Sequence, residues 1–224
     1  MADLAASVET DGDELELADW RRSVAELYAD VRRLATDDVR AAFDHWRAVR
    51  ERLFREHPQS PVRAAERSSF RAHHFEFDPA LRFEVVVEPA KAEQTTRSAS
   101  PFGSLDLPVS AGGTMRFSLI GRVEIPFADG ERQLSLYWME GYAGGLFLPF
   151  RDATNGRATY GAGRYLLDAA KSADLGGDLR RRTLILDFNF AYQPSCAFDP
   201  KWACPLAPPE NRLDIEVRAG ERVD

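Results

Sequence analysis

Lysine is nearly missing from this chain: of 29 basic residues only Lys91, Lys171 and Lys201 are lysines, so almost every cation is a guanidinium. A guanidinium holds its charge at any physiological pH and pairs with carboxylates in a planar fork. Acids outnumber the cations, 36 to 29, which leaves a formal net charge of −7 and a pI near 5.2. Affinity for a phosphate backbone comes from clustered cations that release counterions, so no nucleic-acid partner is expected. Two readings of the acid excess stand open, a carboxylate surface suited to the salty cytoplasm of a halophilic archaeon and the codon bias of a GC-rich genome. Long apolar runs are missing too. Nothing approaches the roughly 20 residues of a membrane helix, and MADLAASVETDGDELELADW has neither the basic start nor the apolar stretch of a signal peptide. The expected location is the cytoplasm, with no membrane partner.

Standard catalytic signatures are equally scarce. The chain has no phosphate-binding loop, no G-x-S-x-G elbow and no H-E-x-x-H. Gly161-x-Gly163 lacks the third glycine of a dinucleotide fingerprint and reads as a bulge or a close backbone approach. The four histidines, His45, His57, His73 and His74, all lie in the first third. On an extended segment His73 and His74 point to opposite faces, so they read as surface or capping residues rather than as ligands of one ion. No metal and no cofactor are expected.

What is present divides the chain into three zones. Residues 1–18 are rich in acids, without Lys or Arg, and read as a disordered tail. Residues 19–58 read as a helical hairpin. Trp20, Val24, Leu27, Tyr28, Val31 and Leu34 recur at helical spacing after a cap at Asp19, and Phe43, Trp46, Val49, Leu53 and Phe54 do so after Asp37. Trp46 reads as a core anchor against the later sheet. Residues 59–224 form a β-rich domain in which the period falls to two. In TMRFSLIGRVEIPF, Met115, Phe117, Leu119, Val123, Ile125 and Phe127 share one parity, and ADGE supplies a hairpin turn before RQLSLYWM. LRFEVVVEP, SLDLPVS, GLFLPF, RATYGAGRYLL, RTLILDFNFAY and RLDIEVR are further strand candidates. The expected fold is mainly β (α+β), an antiparallel β-sandwich or partly open β-barrel with the amino-terminal helix pair packed on it.

Polar residues concentrate in two later stretches. Tyr160 and Arg164 share a face if their segment is a strand, as do Asp187 and Asn189; Arg151 and Asp152 precede the turn-forming Asn155-Gly156. Together with Asn211 they form a candidate ligand-binding set of phenol, guanidinium, carboxylate and amide, in which Arg164 and Asp187 are expected to be coupled. The same arrangement fits a satisfied ion network that fixes strand register. The only cysteines, Cys196 and Cys204, sit in a proline-rich segment with a C-x7-C spacing that is not a zinc-finger pattern. They are read as reduced structural thiols, with a disulfide and a reactive thiol as the alternatives. Pro194, Pro200, Pro205, Pro208 and Pro209 keep that segment from extending a sheet, so it is expected to close one end of a cavity as a rigid flap.

The stretches GGLFLPFRDATNGRATYGAGRY and LDFNFAYQPSCAFDPKWACPLAPPENRL, with WRAVRERLFREHPQSP ahead of them, resemble the domain-of-unknown-function family numbered 1684 over roughly residues 43–220. The resemblance implies that Arg151, Asp152, Thr154, Gly156, Thr159, Tyr160, Gly163, Arg164, Asp187, Asn189, Tyr192, Cys196, Cys204, Pro205 and Asn211 belong to the family pattern. Gln193 departs from it, standing where members more often carry Asn. No activity comes with the resemblance.

Function therefore stands as alternatives. The first is a binding module holding a small polar or anionic ligand in a β-rich cavity. The second is a hydrolase-like enzyme with Asp187 or Asp152 as base, Tyr160 or Arg164 stabilising negative charge and Cys196 as nucleophile. A purely structural or partner-binding protein is the third.

Overall fold

The computed structural model describes residues 14–90, 104–142 and 144–223. Helix α1 runs from Glu14 to Leu34 and α2 from Val39 to Glu56. Eight strands follow: β1 (Arg82–Pro89), β2 (Ser104–Pro108), β3 (Thr114–Phe127), β4 (Gly130–Met139), β5 (Gly145–Phe150), β6 (Arg164–Asp168), β7 (Gly177–Asp178) and β8 (Thr183–Asp187). All pairings between them are antiparallel. They form one sheet in the order β6-β5-β4-β3-β1-β8-β7, with β2 alongside the first half of β3, and the sheet curls into a half-barrel. The fold is thus mainly β with amino-terminal helices, as the periodicity predicts. Among the described residues, no helix is long and apolar enough to cross a membrane.

Helix α1 starts five residues ahead of the expected cap at Asp19. Glu14 and Glu16 occupy its first turn and Arg32 and Arg33 its last, each sign facing the favourable end of the helix dipole. Acids that read as the end of a solvated tail are therefore also a helix-start composition; residues 1–13 of the expected tail lie outside the described residues. Helix α2 is capped by Asp38, one residue later than expected, whose carboxylate accepts the Ala41 N–H at 3.0 Å.

The two helices pack on one face of the sheet. Leu27, Tyr28 and Val31 of α1 and Phe43 and Trp46 of α2 meet Phe117, Tyr137, Phe147 and Tyr165 in one core. Trp46 is fully buried there, the anchor its periodicity predicts. A second core contains Val123, Ile125, Phe127, Leu134, Leu136, Leu148, Phe150 and Phe188. Strand β3 contributes to both because of a β-bulge. Leu119 pairs with Tyr137 but Gly121 with Leu136, so one extra residue sits in β3. That insertion reverses side-chain parity. The odd-numbered residues expected on one face are divided, with Phe117 in the helix-covered core and Val123, Ile125 and Phe127 in the other. Glycine is required at the bulge, since a Cβ on Gly121 would lie 2.5 Å from the Glu88 carbonyl oxygen of β1.

Several expected strands are shorter or missing; RATYGAGRYLL, for one, enters the sheet only from Arg164. The segment after β8 leaves the ladder at Phe188, where Phe188–Phe190 form a 3-10 turn, so Asn189 is not on the strand. RLDIEVR carries no strand beyond an isolated bridge at Arg212. It runs instead as an irregular strap that closes the second core with Leu213, Val217 and Ala219.

Candidate functional site

The expected ligand-binding set separates into backbone clamps. Arg164 opens β6 with no exposed surface. Its Nη1 donates to the carbonyls of Ala219 and, at 3.2 Å, Glu221. Nη2 donates to the Val217 carbonyl at 2.9 Å and to Asp152 Oδ2 at 3.4 Å. The same Asp152 oxygen accepts the Val217 N–H at 2.7 Å, and the other accepts the Thr154 hydroxyl at 2.8 Å. The strap 212–221 needs no sheet ladder because these two side chains satisfy its backbone. Burial pushes the Arg164 guanidinium down to about 10, against the pull of Asp152 and Glu221, which leaves it cationic at neutral pH.

Asp187 does not meet Arg164. Its carboxylate accepts from Arg82 at 3.1 Å and from the Asn189 N–H and side-chain amide at 3.0 and 2.8 Å, which starts the 3-10 turn. Burial holds Asp187 above the usual carboxylate range, opposed by the hydrogen bonds from Asn189 and Arg82. Asn189 then grips both backbone groups of Asp78, accepting at 2.9 Å and donating at 2.8 Å. Asn211 does the same to Ser135 on β4, at 2.8 and 2.9 Å, and adds a 2.7 Å bond to the Pro149 carbonyl. Arg151 exchanges backbone bonds with Asn211 and Leu213, and its Nε donates to the Ala162 carbonyl. The expected common cavity, with its Arg164–Asp187 couple, is therefore replaced by three separate clamps. An amide or carboxylate that bridges chain segments has the same sequence appearance as one that faces a ligand.

Tyr160 precedes β6 in a turn, so it shares no strand face with Arg164. It lies instead against Cys196, and burial together with that contact pushes its phenol up to about 12. Both cysteines are free and buried. His74 is no capping residue. Its ring packs edge-on between Phe43 and Trp46 and is largely buried there. Among the described residues, no group of three or more His, Cys, Asp or Glu is placed to hold a metal.

A cavity with a different lining lies between α1 and the sheet. It measures about 620 Å³ and is walled by Leu17, Trp20, Val24 and Ala25 of α1 and by Met115, Phe117, Met139 and Phe147 of β3, β4 and β5. Trp202, Ala203, Cys204 and Pro205 close one side. The proline-rich segment is thus a cavity wall, as expected, though of a different cavity. It is fixed by bonds from the Trp202 indole to the Pro61 carbonyl, 3.2 Å, and from Leu206 N–H to the Pro108 carbonyl, 2.9 Å.

A smaller chamber of about 60 Å³ adjoins it and shares Trp20, Val24, Pro61, Lys171 and Ser195 with the first. Its inner end carries Tyr28, Arg50, Tyr192 and Gln193. Arg50 is held between the rings of Phe54 and Tyr192, 4.3 and 4.7 Å from their centroids. Its Nε and Nη2 bind Glu221, which leaves Nη1 unpaired. Tyr28 accepts from the Trp46 indole at 3.2 Å and keeps its own proton to donate, and Ser195 Oγ has no partner among the described residues. Burial raises the Tyr28 phenol to about 12, so it stays a neutral donor. Lys171 reaches Asp168 at 3.0 Å, and Asp168 also accepts from Tyr192 at 3.2 Å. No sequence signal isolates this chamber, because Arg50 and Ser195 belong to no chemical motif and their convergence depends on how α1 and α2 dock.

Comparison with known proteins places the same body of the chain in context. The family described as a protein of unknown function, DUF1684, matches residues 70–222. A solution NMR structure of an uncharacterized protein from Haloarcula marismortui is similar, with 33% identity over 85% of this chain and 97% of that one and a TM-score of 0.58. No curated protein matches.

Proposed function

The chain belongs to the DUF1684 family, and since that family is of unknown function, we propose from the cavity itself that the protein binds a small amphipathic molecule. The apolar body occupies the larger chamber and a hydrogen-bonding end reaches the smaller one. The observation that supports this reading is an aromatic and aliphatic chamber next to a smaller one whose lining holds donors without a partner among the described residues, Arg50 Nη1, Tyr28 Oη and Ser195 Oγ. Such sites are mostly apolar with a few polar groups that fix orientation.

Charge refines the ligand class. Arg50 is neutralised by Glu221 and Lys171 by Asp168, so the inner end offers donors without net charge. A neutral hydroxyl or carbonyl suits it better than a fully ionised head. The enzyme reading has weaker support, because the carboxylates of Asp152 and Asp187 are already engaged by backbone and side-chain donors and neither is open as a general base.

Thermal shift with 1-decanol, decanoate and decane tests the proposal. A ligand bound only by the folded state at about 100 times its Kd adds about 2.7 kcal/mol. Decanol should raise the melting temperature more than either of the others. Ala25→Trp, which fills the larger chamber, should remove that rise while the free protein melts nearly as before. The reading fails if no amphiphile stabilises the protein, or if the filled variant still responds.

A further inference from the structure

Beside the ligand chamber lies a pair of sulfur atoms with an environment unlike that of inert buried thiols. Cys204 lines the larger chamber. Cys196 stands behind it in the turn Ser195–Ala197, and its N–H donates to Cys204 Sγ at 3.3 Å. The two thiols are hydrogen-bonded to each other, Cys204 donating, and the Tyr160 hydroxyl donates to the Cys196 sulfur as well. The backbone of Cys204 is pinned on both sides by Ser110, whose Oγ accepts its N–H and whose N–H donates to its carbonyl, each at 3.0 Å. The Ser110 bonds on either side of Cys204 hold it in place beside Cys196.

We propose that Cys196 and Cys204 form a redox-active dithiol, a modification site beside the cavity that a hydroperoxide converts to an intrachain disulfide. A structural cysteine sits in apolar surroundings that favour the thiol, whereas donors aimed at one sulfur favour its thiolate, the reactive form. The hydrogen bond from Cys204, with that from Tyr160, brings the Cys196 thiol down to about 6 against the opposing effect of burial, and pushes Cys204 up. The pair thus contains one nucleophile and one proton donor.

The chemistry balances as follows. The Cys196 thiolate attacks one peroxide oxygen, forming an S–O bond as the O–O bond breaks, and the departing alkoxide takes the proton of Cys204. The Cys204 thiolate then attacks the Cys196 sulfur. An S–S bond forms, the S–O bond breaks, and hydroxide leaves to become water with the proton that Cys196 had released. Two thiols are oxidised and one hydroperoxide is reduced to an alcohol and water. Closure draws on side-chain rotation, since the thiols already touch. In a reducing compartment such a disulfide is transient, the property of a sensing or catalytic pair rather than of a structural one.

The test uses the full chain and dilute hydrogen peroxide, with thiols counted after unfolding, intact mass and mobility without reductant. Two titratable thiols should fall to none, the mass should drop by two hydrogens, the chain should stay single, and dithiothreitol should reverse all three. The rate should rise with pH through about 6, where Cys196 ionises, rather than near the value of an ordinary thiol. Cys204→Ser should stop the reaction at a Cys196 sulfenic acid that dimedone traps. The wild-type measurement decides even if that variant folds poorly. Thiols that resist peroxide in the folded chain but react once it is unfolded overturn the proposal, as does a disulfide that joins two chains. Neither result bears on whether amphiphiles bind, which thermal shift reads separately.

Discussion

Arg164, Asp152, Asn189 and Asn211 on one side, and Arg50, Tyr28 and Ser195 on the other, are polar groups withdrawn to different degrees from bulk water, but they differ in what their hydrogen-bonding atoms meet. The first set ends on the chain's own backbone: the strap at Val217 and Ala219, the turn at Asp78, the strand at Ser135. The second set keeps donors that point into a chamber. Burial without a partner is costly and burial with one is close to neutral; the clamps fix the fold through paired groups, with the buried Arg164 Nε the one atom among them left without a partner, whereas the chamber groups keep donors that a ligand or water can complete. Polarity inside a protein identifies a site only together with an inventory of what remains unpaired.

The largest effect that sharpens this comparison should come from Arg164→Met. Its removal leaves the Asp152 carboxylate without its cationic partner and orphans three carbonyls of the strap, and losing one partner of a buried pair costs about 3–5 kcal/mol. A double-mutant cycle should show strong coupling between Arg164 and Asp152, and additivity within about 0.5 kcal/mol between Arg164 and Asp187. Coupling of Arg164 to Asp187 instead would mean that the clamps are wired as one network, and the distinction drawn here would break.

His74 is an intermediate case, a titratable ring largely buried among aromatic side chains yet outside the chamber. Burial brings it down to about 4, opposed by Glu221. Its folded value lies below the ordinary 6.5, so the unfolded chain binds the proton more readily. The contribution is full above pH 6.5 and is lost as pH falls toward about 4, by up to about 3 kcal/mol. Denaturant melts from pH 7 to 4 should show this slope, and His74→Phe, which retains the ring packing with Trp46 and Phe43, should flatten it. An unchanged slope would assign the acid sensitivity to other groups.

The smallest effects come from a matched pair. Asn211→Ala should cost about 2 kcal/mol by orphaning the backbone of Ser135, whereas Ser195→Ala should change stability by less than about 0.5 kcal/mol and lower decanol affinity. Equal costs for both would remove the contrast between clamp and chamber.

How much of this was legible beforehand follows from which interactions are local. Helical spacing through Trp20–Leu34 and Phe43–Phe54 and the alternation in β3 and β4 depend on neighbours in sequence, and the helices and the curled antiparallel sheet follow from them. The partners of Arg164 and Asp152 lie more than fifty residues away in an irregular strap, so residue types alone led to a shared cavity that does not exist. The chamber was hidden for a further reason. Leu17, Trp20, Val24 and Ala25 of its wall lie outside the matched residues 70–222, and the motifs that drew attention sit inside them. The proline-rich wall was visible because proline's lack of a donor is a property of the residue itself.

The extra residue in β3 at Gly121 also determines how the protein tolerates change. Because it hands the strand from one core to the other, Phe117 and Val123 have equal parity but never compete for the same volume. The helix-covered core, which walls the larger chamber, is therefore separate from the core closed by the strap. Sequence drift in one can proceed without repacking the other, and the chamber can change its lining while the strap keeps its seat. A single-residue deletion at the bulge would remove that independence, turning one half of β3 inside out and exchanging the contents of two interiors at once.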